Sequence, residues 1–198
     1  MDYYYVFSKS FMKKLFLFFW EFTQIVLISL IIIIPIRYYV VQPFFVKGSS
    51  MEPNFQDRDY LIIDELSYHL REPQRGEVVI FKFPKNTKQF YIKRIIGLPG
   101  ETITINDNQV VITNSENPNG FVLNESTYIQ SVTPGKDIHM TLEEEEYFVM
   151  GDNRMHSFDS RNWGKLADKY LIGRVLFRVW PFEEAMAFSL PEYQVVNN

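Results

Sequence analysis

From Leu15 to Ile36 the chain is nearly all apolar, broken only near its start by Glu21 and by a few small polar positions. As a helix rising 1.5 Å per residue, this stretch matches the ~30 Å hydrocarbon layer of a bilayer. Its centre is apolar all round, which a half-buried surface helix is not. Glu21 lies within two turns of the amino-terminal end, where a carboxyl can snorkel or stay protonated. Trp20 and Tyr38-Tyr39 suit the two interfaces. The run exceeds the ~7–15 residues of a cleaved secretory signal, and no Ala precedes Ala167 to make a small-x-small cleavage site. The expectation is a retained single-pass anchor over 15–37. Lys9, Lys13 and Lys14 precede it, and Arg37 and Lys47 follow. That bias places residues 1–14 in the cytoplasm and residues 38–181 outside the cytoplasmic membrane.

After the anchor the period shortens to two. Tyr39–Val41 and Phe44–Val46 flank Pro43 as β-rich pieces, suited either to the core or to the bilayer surface. Strands are expected at Tyr60–Asp64, Val78–Phe83, Phe90–Ile96 and Leu171–Pro181. Residues 101–148 read as an excursion. Thr102–Ile105 and Val110–Ile112 form a hairpin there, and Phe121–Leu123 and Thr127–Ile129 are short strands. Tyr147–Met150 is a further β-run. Residues 182–198 form a tail without a pattern. The sum is a mainly β domain with one amino-terminal transmembrane helix.

Composition narrows the partners. The chain has 198 residues and a net charge of −4, which gives no support to a nucleic-acid partner. With no cysteine there is neither a disulfide framework nor a thiolate metal site. His69, His139 and His156 lack metal-ligand spacing, and the run Glu143–Glu146 reads as a solvated turn, so neither metal nor other cofactor is expected.

Three stretches carry candidate chemistry. In Val46–Phe55, Gly48 permits tight backbone geometry before Ser49, Ser50 and Met51, and Pro53 fixes φ just beyond. Such a turn can present a Ser hydroxyl and its backbone N–H to a carbonyl. On the strand at 90–96, alternation groups Tyr91, Lys93 and Ile95 on one face and Ile92, Arg94 and Ile96 on the other. A buried Lys93 would have a lowered pKa and be a base candidate. Gly151–Gly164 is a polar loop in which Asp152, Arg154, Asp159 and Arg161 can form bidentate pairs that fix it.

Together these stretches resemble bacterial type I signal peptidases. Gly48-Ser49-Ser50-Met51-Glu52-Pro53 is similar to that family's nucleophile box, and Arg75–Phe81 to the next. Tyr91–Glu101 resembles its lysine box. Gly151-Asp152-Asn153-Arg154 with Ser157, Asp159, Ser160, Arg161 and Trp163-Gly164 resembles its last. The resemblance covers roughly Tyr38 to Pro181 plus the anchor, in one order. It implies a membrane-anchored serine endopeptidase that removes signal peptides from exported preproteins with a Ser/Lys dyad. Ser50 is then the nucleophile and Lys93 the general base. Ser157 orients the lysine amine, and Asp152, Asp159 and Arg161 support the loop. Some members have a Ser at the position of Gly48, whose hydroxyl helps bind the oxyanion; this chain must rely on the Ser50 N–H and another donor. Met155-His156 replaces a polar pair, and His156 reads as a loop residue. Substrates are expected to carry small residues at −1 and −3 and to bind as an added strand. Two rivals fit the residues less well: a self-cleaving repressor-type Ser/Lys protease, which would carry a DNA-binding domain instead of the anchor, and a non-catalytic peptide-binding β module.

Overall fold

The computed structural model describes residues 2–39, 42–129, 137–191 and 193, and the chain divides into two compact units between residues 41 and 42. The first unit is a single helix, α1 (Asp2–Tyr39). Its membrane-length apolar span is Phe11–Ile34, with mean hydropathy 2.3. Every side chain in that span is exposed, so its apolar surface has no protein partner within the unit. Where a hydroxyl occurs, it is satisfied locally: Thr23 Oγ1 donates to the Phe19 carbonyl at 2.7 Å. Tyr39, read from sequence as opening a strand, instead closes the helix; Val40 and Val41 lie outside the described residues.

The second unit is mainly β, with a one-turn helix and short 3-10 turns between strands. Its strands are β1 (Gln42–Phe45), β2 (Tyr60–Asp64), β3 (Val78–Phe83), β4 (Asn86–Gly97), β5 (Thr102–Asn106), β6 (Gln109–Thr113), β7 (Phe121–Val122), β8 (Ile138–Thr141), β9 (Glu146–Met150), β10 (Leu166–Ala167), β11 (Leu171–Trp180) and β12 (Met186–Ala187). The larger sheet runs β1-β2-β11-β3-β4-β9-β10, with β12 added on β11; the smaller runs β7-β6-β5-β8. All pairings are antiparallel, as expected for strands joined by short turns. The β5–β6 turn shows the local logic. Asp107 and Asn108 have φ of 46° and 62°, the signs that a two-residue type I′ hairpin needs.

The alternation read along β4 is what divides the core. Ile92 packs with Val46, Met51, Phe55 and Leu61 in one cluster. Ile96 joins Phe148 and Met150 to Ile103, Ile105 and Ile112, tying the two sheets together. From the opposite face, Ile95 packs with Val79, Phe81 and Val149.

Two expectations are corrected. Thr127–Ile129 is not a strand: a turn begins at Ser126, with Tyr128 and Ile129 donating N–H groups to the Glu125 carbonyl. The tail is not featureless either. After a short 3-10 turn it adds β12, and then Phe188 stacks on Phe55 with ring centroids 4.4 Å apart. Further on, Pro191 and Tyr193 lie over Gly76, where a Cβ would come within 2.6 Å of Pro191. Glycine is required there both for this close approach and for its φ of +89°.

Candidate active site

β1 ends where the chain folds back on itself. Val46 donates its N–H to the Asp59 carbonyl, and Arg58 donates to the Val46 carbonyl, both at 2.9 Å. Residues 47–57 therefore form a closed loop. Gly48, at φ +90°, opens it, and its N–H donates to Asp57 Oδ1 at 2.8 Å. Met51 and Phe55 are fully buried and pin the far side into the core. Ser50 stands between exposed Ser49 and buried Met51. The backbone of this turn is clamped from the opposite loop. Asn153 donates its N–H to the Ser50 carbonyl and its Nδ2 to the Ser49 carbonyl, each at 3.1 Å. The Ser50 N–H itself donates to no protein group among the described residues.

Lys93 reaches Ser50 from β4, across 43 residues of sequence. Its Nζ lies 2.6 Å from Ser50 Oγ and 2.8 Å from the Ile92 carbonyl. Only 4% of the residue is exposed, and the Tyr91 ring lies beside the amine at 5.7 Å. Burial pushes the Lys93 pKa down to about 8, against the attraction of Asp159 and Asp152 and with help from the Arg161 cation. The neutral amine is thus accessible near neutral pH, with the Ser50 hydroxyl already at hydrogen-bond distance.

The loop after β9 supports this pair. Arg94 grips Asp152 bidentately, Nε to Oδ1 at 2.8 Å and Nη2 to Oδ2 at 2.6 Å. Arg154 grips Glu125 in the same way, at 2.7 and 2.6 Å. Arg161 grips Asp159, both bonds at 2.8 Å. Burial acting alone would raise the Asp159 pKa, but Arg161 and the Gly151 N–H hold it below the usual carboxylate value. Asp159 also caps the one-turn helix α2 (Ser160–Trp163) through a capping box with Asn162. The expected bidentate pairs are present, but only Asp159–Arg161 closes within the loop. Asp152 and Arg154 reach out, to β4 and to the segment before Tyr128.

Ser157 departs from expectation. Its Oγ is buried, but it makes no hydrogen bond to Lys93, whose second polar contact is the Ile92 carbonyl. It stands close enough to Asp159 to help hold that carboxyl ionised, short of a formed hydrogen bond. The backbone crowding is severe here: a Cβ on Gly151 would lie 2.2 Å from Ser157 Oγ and 2.3 Å from the Ser50 carbonyl. His156 is exposed beside Asn153, as a loop residue would be.

Ser50 and Lys93 open onto a groove of about 580 Å³, with walls that include Phe44, Val46, Ile80, Phe90, Tyr91 and Phe158. It combines a hydroxyl, an amine of lowered pKa and an apolar channel. No group of three or more His, Asp or Glu side chains converges on a metal-sized site among the described residues.

Residues 19–180 match the family described as signal peptidase, peptidase S26. The chain belongs to this family. A probable signal peptidase I-2 of Synechocystis sp. is 38% identical over 158 residues, covering 77% of this chain and 69% of the relative. The signal peptidase I of Leptolyngbya laminosa is 34% identical, over 78% of this chain and 76% of its own. One from Bacillus amyloliquefaciens is 31% identical, over 84% and 88% respectively. As a member of this signal peptidase family, the protein is a membrane-anchored serine endopeptidase acting on preprotein signal peptides.

Within this signal peptidase fold, four participants had been given no role from the sequence: Arg94, Glu125, Asn153 and Asp57. Arg94 carried a signal, since a charged residue on an otherwise apolar strand face needs a buried partner. The other three act through contacts that sequence spacing does not encode.

Proposed function

We propose that this enzyme cleaves the signal peptide with Ser50 as nucleophile and Lys93 as general base. The observation that carries the reading is the 2.6 Å approach of Lys93 Nζ to Ser50 Oγ, with that amine buried and its pKa lowered to about 8. The neutral amine accepts the Ser50 proton as Oγ attacks the scissile carbonyl, and the ammonium then returns a proton to the leaving amine. The tetrahedral oxygen takes the Ser50 N–H as one donor. Water attacks the acyl-enzyme with the same lysine as base. Asp152, Asp159 and Arg161 hold the loop that carries Asn153 against the nucleophile turn, and Ser157 packs beside Gly151 in that loop.

The reading takes the substrate as an extended peptide with small residues at −1 and −3, supported by aromatic and branched side chains that line the groove beside Ser50. For the bilayer, the supporting observation is a row of aromatics across three strands. Phe45 pairs with Tyr60, and Tyr60 with Trp180. Trp180 meets Phe182 at 4.8 Å, and Phe45 and Phe182 are 71% and 72% exposed. Aromatics of this kind belong at headgroup depth. Three lysines at the amino-terminal end of the anchor support an amino terminus inside and a catalytic unit outside.

The test is cleavage of a preprotein by the purified full chain. Wild type should release the mature protein, while Ser50→Ala and Lys93→Arg should abolish turnover with the fold retained, since arginine keeps the charge but does not deprotonate. Full activity in either variant defeats the dyad.

A further inference from the structure

The stretch between Glu77 and Glu101 contains no acidic residue, in a chain whose net charge is −4. It does contain the hairpin formed by β3 and β4, which turns at Pro84-Lys85. Lys82, Lys85 and Lys88 on this hairpin are all exposed. None of them makes an ion pair among the described residues; Lys82 only lies within electrostatic range of Glu65. Lysines left unpaired in an acidic protein form a local positive field without an internal use.

The hairpin is also apolar on one side. Lys82 pairs across the strands with Phe90, so the two side chains share a face. Phe90 is 51% exposed and meets Phe44 edge-on at 5.6 Å. Lysines flanking exposed aromatics are the chemistry of a headgroup-contacting surface. We infer that the β3–β4 hairpin docks on anionic phospholipid headgroups through Lys82, Lys85 and Lys88, beside the mouth of the cleavage groove. This rests on the membrane-facing reading above and adds a lipid preference to it. Acidic segments of the preprotein are the competing partner. Lipid is favoured because Lys82, Lys85 and Lys88 do not line the groove, so a peptide held there does not meet them.

The chain lacks cysteine, so Thr87→Cys gives a single labelling site at the hairpin tip. The labelled full chain is reconstituted into vesicles of phosphatidylcholine, or of phosphatidylcholine mixed with phosphatidylglycerol, each carrying a headgroup quencher. Quenching should be stronger with phosphatidylglycerol and should weaken as salt rises. Each lysine is worth about fivefold, so Lys82→Gln with Lys85→Gln and Lys88→Gln should lower the anionic preference by on the order of a hundredfold. The corresponding three arginine substitutions should keep it. Equal quenching in the two vesicles, or a glutamine variant with undiminished preference, overturns the inference. So does a raised KM of the glutamine variant for a soluble peptide in detergent, which would make the hairpin a substrate contact. A wild-type chain that fails to cleave that peptide overturns the catalytic reading instead, while the quenching comparison still decides the hairpin.

Discussion

At the scale of single residues, Lys93 is held where stability and chemistry conflict. Its folded pKa of about 8 lies below the 10.5 of the unfolded chain. Between those values the unfolded state binds the extra proton, so stability rises with pH across that window. The penalty is fully present below about pH 8 and corresponds to about 3 kcal/mol. Lys93→Met should therefore unfold at higher urea at neutral pH while losing all turnover, and its advantage should shrink above pH ~10. Urea titrations at the two pH values check this; a gain that ignores pH would mean that burial is not what lowers the amine. In the wild-type enzyme the acidic limb of kcat/KM should fall at about pH 8, where the free lysine takes its proton. Gly48 poses a related question. A Cβ there meets nothing within 4 Å, but φ is +90°, a region that side chains other than glycine's rarely adopt. Gly48→Ala and Gly48→Ser should both lose about 1–3 kcal/mol of stability. If the oxyanion lacks a donor, the serine variant should exceed the alanine variant in kcat, by up to ~10²-fold. Equal kcat in the two would place the second donor elsewhere.

At the scale of elements, β4 and the loop after β9 act as one device. Adjacent residues on β4 leave by opposite faces, Lys93 to Ser50 and Arg94 to Asp152, so a single strand fixes both the base and the loop that clamps the nucleophile turn. Asp152→Ala leaves a buried guanidinium without its carboxylate and should cost about 3–5 kcal/mol. Arg94→Met combined with Asp152→Leu should recover most of that, because two matched apolar groups have no charge to desolvate. A loss under ~1 kcal/mol in the single variant, measured by denaturant unfolding, would show the pair to be dispensable. This device was half legible in the sequence. Alternation along 90–96, a local signal, separated Lys93 from Arg94 but left the lysine half-exposed by default; its burial was asked for only by the resemblance to the lysine box. The partner of Arg94 lies 58 residues away, and Asn153 reaches 104 residues back to Ser49, so neither contact leaves a period to read. The resemblance placed Asp152 near the site without saying what it holds. Ser157 shows the limit of such transfer, since its position matches while its expected bond to the amine is absent.

At the scale of the whole molecule, two segments outside the groove decide how it works. The tail is the first. Phe188 stacks on Phe55, which closes the loop bearing Ser50, so deletion from Met186 onward uncovers the core beneath the nucleophile. Burying an aromatic side chain is worth about 3–5 kcal/mol in truncation experiments, and Phe188→Ala should lose much of that together with kcat. Unchanged unfolding and turnover would reduce the tail to decoration. The anchor is the second, and its orientation follows from charge. Lys9, Lys13 and Lys14 lie before the apolar span Phe11–Ile34 or at its start, against Arg37 and Lys47 after it. Excess lysine and arginine stay on the cytoplasmic side, so the second unit should face outward. Protease added to intact spheroplasts should then digest the chain beyond Val41 and leave the amino-terminal segment protected. Because the bias is three lysines against two basic residues, it is also reversible in principle. Replacing Lys9, Lys13 and Lys14 with Gln and adding lysines after Arg37 should move the catalytic unit inward, where preprotein processing would stop although the detergent-solubilised enzyme still cleaves peptide. Protection of the wild-type catalytic unit in spheroplasts, with digestion only after lysis, would reverse the assignment.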